Sequence, residues 1–218
     1  RQLLSILLIA GLKTLSAQVW PGDVNNNGIV NGVDLLYLGT VYGLTGPARA
    51  EVETDWEEQP IITAWGSFFP NGVNHAFADC NGDGIVDERD IEDAIDDNLG
   101  ETHAGSGEGD YSNGLPGLDI PISLSPSLSL EDGDLNLTIA LSLGNEDFEV
   151  EEFYGMALQL SYSSNLLEEA DFEFSLTADS WIDNPEGENS YVLFEEEEDT
   201  QTAELAITLT DPNQSRTG

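Results

Sequence analysis

Two twelve-residue segments of this chain carry nearly the same pattern of acidic, amide and glycine residues. The segment at 23–34 reads DVNNNGIVNGVD, and the segment at 79–90 reads DCNGDGIVDERD. Both fit D-x-[DN]-x-[DN]-G-I-V-[DN]-x-x-D, a calcium-loop pattern with aspartate at the last position in place of glutamate. A single copy could be a turn rich in Asp and Asn, which these residues favour for backbone reasons alone. A duplication that keeps the isoleucine, the valine and the final aspartate favours a pair of calcium loops.

The positions of the pattern match what calcium requires. Ca²⁺ takes about six to eight oxygen ligands, so a tight loop must direct oxygens inward from alternating residues. Gly28 and Gly84 permit the sharp bend at position 6. The predicted ligands at positions 1, 3, 5, 7, 9 and 12, with the backbone carbonyl used at position 7, are Asp23, Asn25, Asn27, Ile29, Asn31 and Asp34 in loop one and Asp79, Asn81, Asp83, Ile85, Asp87 and Asp90 in loop two.

The two loops differ in charge. Loop one has two carboxylates among its predicted ligands, whereas loop two has four. Because calcium affinity increases with the charge of the ligands, we expect two bound ions, with the tighter site in loop two.

A helix is predicted after each loop. Leu35, Leu38 and Tyr42 recur at helical spacing after loop one, and the same spacing follows loop two at Ile91, Ala94, Ile95 and Leu99. Gly43 and Gly100 stand where these helices would end. The short stretch ahead of each loop leaves no room for a preceding helix, so each unit is a loop followed by a helix.

The net charge narrows the choice of partners. Five Lys and Arg against 43 Asp and Glu give a formal charge of −38. Phosphate backbones and anionic membrane surfaces would be repelled, which argues against nucleic-acid binding and membrane association. A strongly acidic chain attracts cations, although high charge also serves general solubility in a salty medium.

The paired units, GDVNNNGIVNGVDLLYLGTVYG and ADCNGDGIVDERDIEDAIDDNLG, resemble the two halves of a type I dockerin over about residues 19–103. Dockerins fold on calcium and dock onto cohesin domains in assemblies that carry polysaccharide-degrading enzymes. The resemblance implies the ligand roles given above and a partner-facing surface on the helices. The paired units also resemble the dockerin-like segments of secreted surface proteins of Bacteroidota-like bacteria.

Two features depart from the usual dockerin pattern. The insertion at 44–78 between the repeats is longer, and it carries Trp56, Trp65, Phe68 and Phe69. The partner-selecting positions 10 and 11 are Gly-Val at 32–33 and Glu-Arg at 88–89. Because these pairs differ, a symmetric, two-way docking mode is not expected.

The N-terminal end has the features of a secretory signal peptide. Residues 3–12 form a ten-residue apolar run that follows Arg1 and precedes the small residues Ser16 and Ala17. The run is too short to span a bilayer. We therefore predict a signal peptide at 1–17, no membrane span, and a secreted or cell-surface protein; a buried N-terminal helix is the alternative.

The second half has a different period. Residues 105–117 are rich in glycine and are predicted to be a flexible linker. Beyond them, alternating apolar residues at 135–143, 154–162 and 205–209 predict half-buried strands separated by turns. Residues 118–218 are predicted to form an antiparallel β-sandwich that is incomplete at its C-terminal end.

The order of segments in this half resembles the first part of a cohesin-like sandwich. The segments are ISLSPSLSLEDGDLNLTIALSLGN, then FYGMALQLSYSSNLLE, then the strands around Trp181 and at 191–194. The predicted fold class is thus α+β multidomain: an all-α, EF-hand-like calcium domain at 18–104 and an antiparallel, cohesin-like or immunoglobulin-like sandwich.

The remaining chemistry-bearing residues favour structural roles. Trp20, Trp56, Trp65 and Trp181 could form a sugar-stacking platform, but packing is the commoner role of aromatic side chains. His75 and His103 lack a nucleophile motif nearby, and they are expected to pack or face solvent. Cys80, at position 2 of loop two, is expected to be a buried thiol. The acidic run at 195–199 is interpreted as a solvated loop or edge, with cation binding as the alternative.

The sequence therefore predicts a calcium-binding, non-catalytic module for protein docking or adhesion, with a cohesin-like protein as the candidate partner. No carboxylate pair is singled out for glycoside hydrolysis, and the sequence has no phosphate loop and no nucleophile elbow. One alternative is the non-catalytic part of a larger secreted polysaccharide-degrading enzyme, whose catalytic domain lies outside these residues. Another is a carbohydrate-binding protein with a polysaccharide ligand.

Overall fold

The computed structural model describes residues 18–61, 63–104, 120–131, 134–150, 153–163, 173–177, 180, 182, 190–197 and 201–211. The predicted signal peptide at 1–17, the predicted linker at 105–117 and Trp181 lie outside these residues. Among the described residues, no helix combines the length and the apolar character needed to cross a bilayer.

Each calcium-loop segment leads directly into a helix, as predicted. Helix α1 spans Gly32–Gly39, and helix α2 spans Glu88–Asp90 and continues as a π-helical segment, Ile91–Asp96. The apolar spacing predicted a helix that reaches Tyr42, but α1 ends before this residue. Gly43 and Gly100 each adopt a φ of 80°, and this left-handed conformation redirects the chain after each repeat.

The apolar residues of both helices face a common core. Of the predicted positions, the fully buried ones are Leu35, Leu38, Ile91, Ala94 and Ile95. Tyr42 and Leu99 are partly buried against the same cluster. The helical spacing therefore identified the buried face of both helices correctly.

The insertion at 44–78 contributes to this core. It contains strand β2, Gln59–Pro60, which pairs with strand β1, Gln18–Val19, and a 3-10 turn, His75–Phe77. The insertion residues Trp65, Phe69 and Phe77 are buried in the core, whereas Phe68 is exposed. The insertion is thus part of the domain's packing.

The second half is antiparallel, as predicted. Strands β3, Ile122–Glu131, and β4, Asp134–Leu143, form a hairpin, and the β-strands β5, Gly155–Ser161, β6, Ser190–Glu197, and β7, Thr202–Leu209, form a sheet in the order β5-β7-β6. These described strands form a β-rich region; the complete sandwich remains a prediction.

The hairpin corrects one expectation. The apolar residues of β4 were predicted to be half-buried. Leu141 and Leu143 are half-buried, whereas Leu137 and Ile139 are exposed. Alternation predicts a strand from its period, but burial also needs an opposing layer. Among the described residues, Leu143 packs against a buried cluster that includes Val150, but the exposed part of the hairpin has no such opposing layer.

The three-stranded sheet is buried on both faces. Leu193 and Ala206 belong to the same core as Leu35 and Leu38 of α1. On the opposite face, Leu205 and Ile207 belong to a second core that also contains Val150, Phe153 and Ile182. Strand β7 therefore connects the helical half to the rest of the β-rich half.

Candidate metal centre

Loop one is organised around the carboxylate of its last residue. The two oxygens of Asp34 accept hydrogen bonds from the backbone amides of Asn25, at 3.0 Å, and Asn31, at 2.9 Å. The side chain of Asn31 in turn accepts a bond from the amide of Val33, 2.9 Å away, which makes a capping box for α1. One aspartate thus closes the loop and begins the helix.

Loop two repeats this arrangement. Asp90 accepts bonds from the amides of Asn81, at 3.0 Å, and Asp87, at 2.8 Å. The Asp87 side chain accepts a bond from the amide of Arg89 and forms the capping box of α2. The residues predicted at position 9, Asn31 and Asp87, therefore serve as helix caps in this structure.

The first carboxylate of each loop faces the glycine bend. Asp23 accepts bonds from the amides of Asn27, at 3.0 Å, and Gly28, at 2.9 Å. Asp79 accepts a bond from the amide of Gly84, 3.2 Å from each of its oxygens. The φ angles of Gly28 and Gly84 are 97° and 92°, a conformation that a side chain would strain.

The amide and carboxyl groups at positions 3 and 5 make the same short turns in both loops. Each accepts a hydrogen bond from the backbone two residues further on, within 2.8–3.0 Å. These residues are Asn25 and Asn27 in loop one and Asn81 and Asp83 in loop two. The turns that the sequence analysis gave as an alternative to calcium loops are therefore present. The two interpretations are compatible, because the same side chains form the candidate metal site.

The two repeats pair with each other through a pseudo-twofold exchange. The amide of Val30 donates to the carbonyl of Glu101, and the amide of Val86 donates to the carbonyl of Leu44. Each loop thus pairs with the segment that follows the helix of the other repeat. This pairing joins the loops, which are 56 residues apart, into one unit.

The carboxylates at positions 1 and 12 are almost completely removed from water. Asp23, Asp34, Asp79 and Asp90 are each exposed by 1% or less. Burial raises the pKa of Asp79 to about 6 and that of Asp90 to about 7. In loop one, burial raises the pKa of Asp34 well above its ordinary value, and the charge of Asp23 raises it further. Burial also raises the pKa of Asp23, although its hydrogen bond to His103 opposes the shift.

These donor sets fit calcium. Two buried carboxylates within one loop are costly to ionise together, and a divalent cation between them would offset that cost. Among the described residues, no group of three or more His, Cys, Asp or Glu side chains is gathered as a metal site. Loop one has only two carboxylates, so its other donors would be amide and backbone oxygens. The four carboxylates predicted as ligands in loop two are not gathered around one point either. When bound, calcium would supply the positive charge that holds these oxygens together.

In loop two, a guanidinium takes up two of the predicted ligands. Arg89 pairs with Asp83 at 2.7 Å and with Asp87 at 2.9 Å. The carboxylate count alone predicted the tighter site here. The structure adds an internal cation that competes for the same oxygens, which the sequence prediction did not consider.

Two further residues at the loops were missed as functional candidates. His103, expected only to pack or face solvent, has its Nε2 2.7 Å from Oδ2 of Asp23 and its ring stacked on Trp20. Arg49, from the insertion, donates to the backbone carbonyls of Asp79 and Cys80. The signal available in the sequence was the scarcity of basic residues. Within the described part of the chain, Arg49 and Arg89 are the only Lys or Arg residues.

The other sequence candidates have structural surroundings. Trp65 is buried, as expected for packing, and Trp20 and Trp56 lie with ring centroids 4.9 Å apart beside His103. Cys80 is fully buried, which confirms the expected buried thiol, and burial raises its pKa well above the ordinary value.

The site is thus a pair of acidic loop-helix units of the kind that binds calcium. Residues 21–93, less than half of the chain, match the Dockerin type I domain family. This part of the chain is therefore similar to a dockerin type I domain, and domains of this family are calcium-binding, non-catalytic modules for protein docking. No curated protein and no solved structure matches this chain.

Proposed function

We propose that this chain is a calcium-dependent docking module that binds one ion in each loop. The ligands are those predicted from the pattern, at 23–34 and 79–90. The observation that carries the proposal is the repeated hydrogen-bond arrangement around two pairs of buried carboxylates, Asp23 with Asp34 and Asp79 with Asp90. Calcium binding would stabilise the ionised form of each pair and thereby the folded loops.

The proposed partner is a protein of the cohesin type, and the proposed location is outside the cell or at its surface. The dockerin match and the predicted signal peptide support these proposals. The net charge of −38 also favours an environment where calcium is plentiful.

Calcium titration calorimetry on the full chain, freed of metal by a chelator and desalted, tests the ion count. We expect two sites in the unmodified chain and one in each of the variants Asp34→Asn and Asp90→Asn. Asp93→Asn is the matched control, because Asp93 is an exposed carboxylate on the π-helical continuation of α2 and outside the ligand set. An unmodified chain that binds no calcium would refute the proposal.

Partner binding is tested separately. A purified cohesin domain immobilised on a sensor should capture the chain in calcium and release it in chelator. Capture that is unaffected by the chelator would contradict calcium-dependent docking.

A further inference from the structure

We infer that the outer face of the two loop-helix units is docked onto the chain's own sheet, β5-β7-β6. This inference rests on the proposed function and deepens it, because it names the occupant of the helical surface on which a docking partner is expected. In this arrangement the sheet is an internal partner, and an external protein must displace it or bind another face.

Helix and sheet approach each other closely at a glycine on each side. A Cβ atom placed on Gly39 of α1 would lie 1.9 Å from Oγ1 of Thr208 on β7. A Cβ atom placed on Gly155 of β5 would lie 2.8 Å from Cδ2 of Leu36. At Gly39 the three nearest atoms all belong to the β-branched side chain of Thr208, so an added methyl group would overpack this contact. At Gly155 the nearby helix atom is the end of a leucine side chain, which can move, so Gly39 is the more restrictive of the two positions.

Polar groups extend the contact to both repeats. The amide of Gly32, at the start of α1, donates to Oε2 of Glu204 on β7, 3.3 Å away. A carboxylate is favourably placed at the N-terminus of a helix. On the second repeat, the hydroxyl of Tyr191 on β6 donates to Asp96 at 2.7 Å. Gly32 is position 10 of loop one, where the dockerin resemblance expects a partner.

The contact also has a buried apolar part. Leu193 and Ala206 of the sheet are exposed by 5% and 0%, and they share a core with the helices. Ala157 and Tyr191 pack against the same cluster. A face that buries apolar side chains in a common core is held more firmly than one joined by surface polar bonds alone.

Charge supports the sheet as an occupant of this face. The chain carries 43 acidic residues, and two acidic surfaces would repel each other. The sheet instead presents Ala157, Leu193 and Ala206 to the core that it shares with the helices. Of the two acidic side chains of the sheet that lie near the repeats, Glu204 accepts the amide at the start of α1, and Glu195 lines a cavity beside it.

The test uses the whole chain with a protease site inserted between residues 104 and 120. After cleavage in calcium, the two pieces should elute together on size exclusion. Gly39→Ala should weaken their association by about tenfold or more, because the added methyl overpacks Thr208. Helix propensity alone predicts the opposite effect, since alanine stabilises a helix relative to glycine.

Two matched variants separate this contact from misfolding. Gly66→Ala is the control, because a Cβ at Gly66 meets no atom within 4 Å. Adding Thr208→Ala to Gly39→Ala removes two of the three closest atoms and should restore part of the association. If Gly39→Ala leaves the association unchanged, the inference is wrong.

Calorimetry on the same cleaved samples distinguishes a failure of the docking inference from a failure of the proposed calcium binding. Pieces that separate while both calcium sites still bind overturn the docking inference and leave the proposed function standing. Pieces that stay together but bind no calcium overturn the proposed function, and the docking interpretation fails with it. Co-elution with both sites intact and separation by Gly39→Ala supports both.

Discussion

His103 lies with its Nε2 2.7 Å from Oδ2 of Asp23, although 80 residues separate them in the chain. The same imidazole stacks on Trp20, with ring centroids 4.9 Å apart. The end of the domain is thereby connected to the first residue of its first loop. This contact lies beyond residue 93, where the family match ends.

Replacing His103 with phenylalanine should destabilise the calcium-free protein. The variant keeps an aromatic ring against Trp20 but loses the bond to a buried carboxylate, and bonds to charged groups contribute about 1.5–3 kcal/mol. Urea unfolding in chelator would measure the loss. His75→Phe is the control, because His75 bonds to Ser67 in an exposed position. Equal losses in both variants would contradict a specific role for His103.

Arg89→Gln should raise the calcium affinity of loop two. Arg89 occupies oxygens of Asp83 and Asp87 that calcium would use, and its side chain is largely exposed. Because exposed ion pairs are weak, we expect an increase of about twofold to fivefold by calorimetry. Loop one is the internal control. An equal rise at both sites would indicate a general charge effect and contradict direct competition.

The stability of the calcium-free protein should fall as pH rises. Burial raises the pKa of Asp79 to about 6 and that of Asp90 to about 7, above the ordinary value of 3.8. A raised pKa in the folded state means that the stabilisation is complete below the ordinary value and is lost as pH rises through about 6 to 7. Tm should therefore decrease between pH 5 and pH 8. Bound calcium favours the ionised carboxylates and should abolish this decrease.

Melting curves of the desalted protein with and without added calcium would measure the effect. Asp90→Asn removes one of the carboxyl groups with a raised pKa and should make the calcium-free profile less steep. A Tm that is constant or rises with pH in the absence of calcium would contradict the prediction.

Cys80 should report folding of loop two. It is the chain's one cysteine, it is fully buried, and burial raises its pKa, so little thiolate is present to react. We expect a thiol reagent to label the calcium-loaded chain at least about 100-fold more slowly than the urea-unfolded chain, because labelling requires opening of the core. Chelation should speed labelling. Fast labelling in calcium would show that the loop is open.

The local features of the domain were predictable because they depend on neighbouring residues. The loops follow from the spacing of Asp, Asn and Gly, and the helices follow from apolar residues such as Leu35 and Ile91. A capping box is also local, since Asn31 and Asp34 are three residues apart. These parts of the fold are encoded within about twelve residues of sequence.

The parts that sequence reasoning missed depend on distant contacts. Nothing near His103 or Arg49 indicates that these residues reach Asp23 and the backbone of loop two. Alternation predicted β4 correctly, but the exposure of Leu137 and Ile139 depends on which layer covers the strand. The contact of Gly39 with Thr208 joins two patterns, a helix and a strand, that look unrelated in the sequence.

The exchange of backbone bonds between the repeats bears on how such a domain could arise by duplication. Val30 in the first loop bonds to Glu101, which follows the second helix, and Val86 in the second loop bonds to Leu44, which follows the first helix. In a shorter chain with one loop and one helix, these backbone amides and carbonyls would have no partner within the chain. Two copies of such a chain could form the same bonds with each other. The fold is thus equivalent to a fused homodimer, in which one polypeptide contains both subunits.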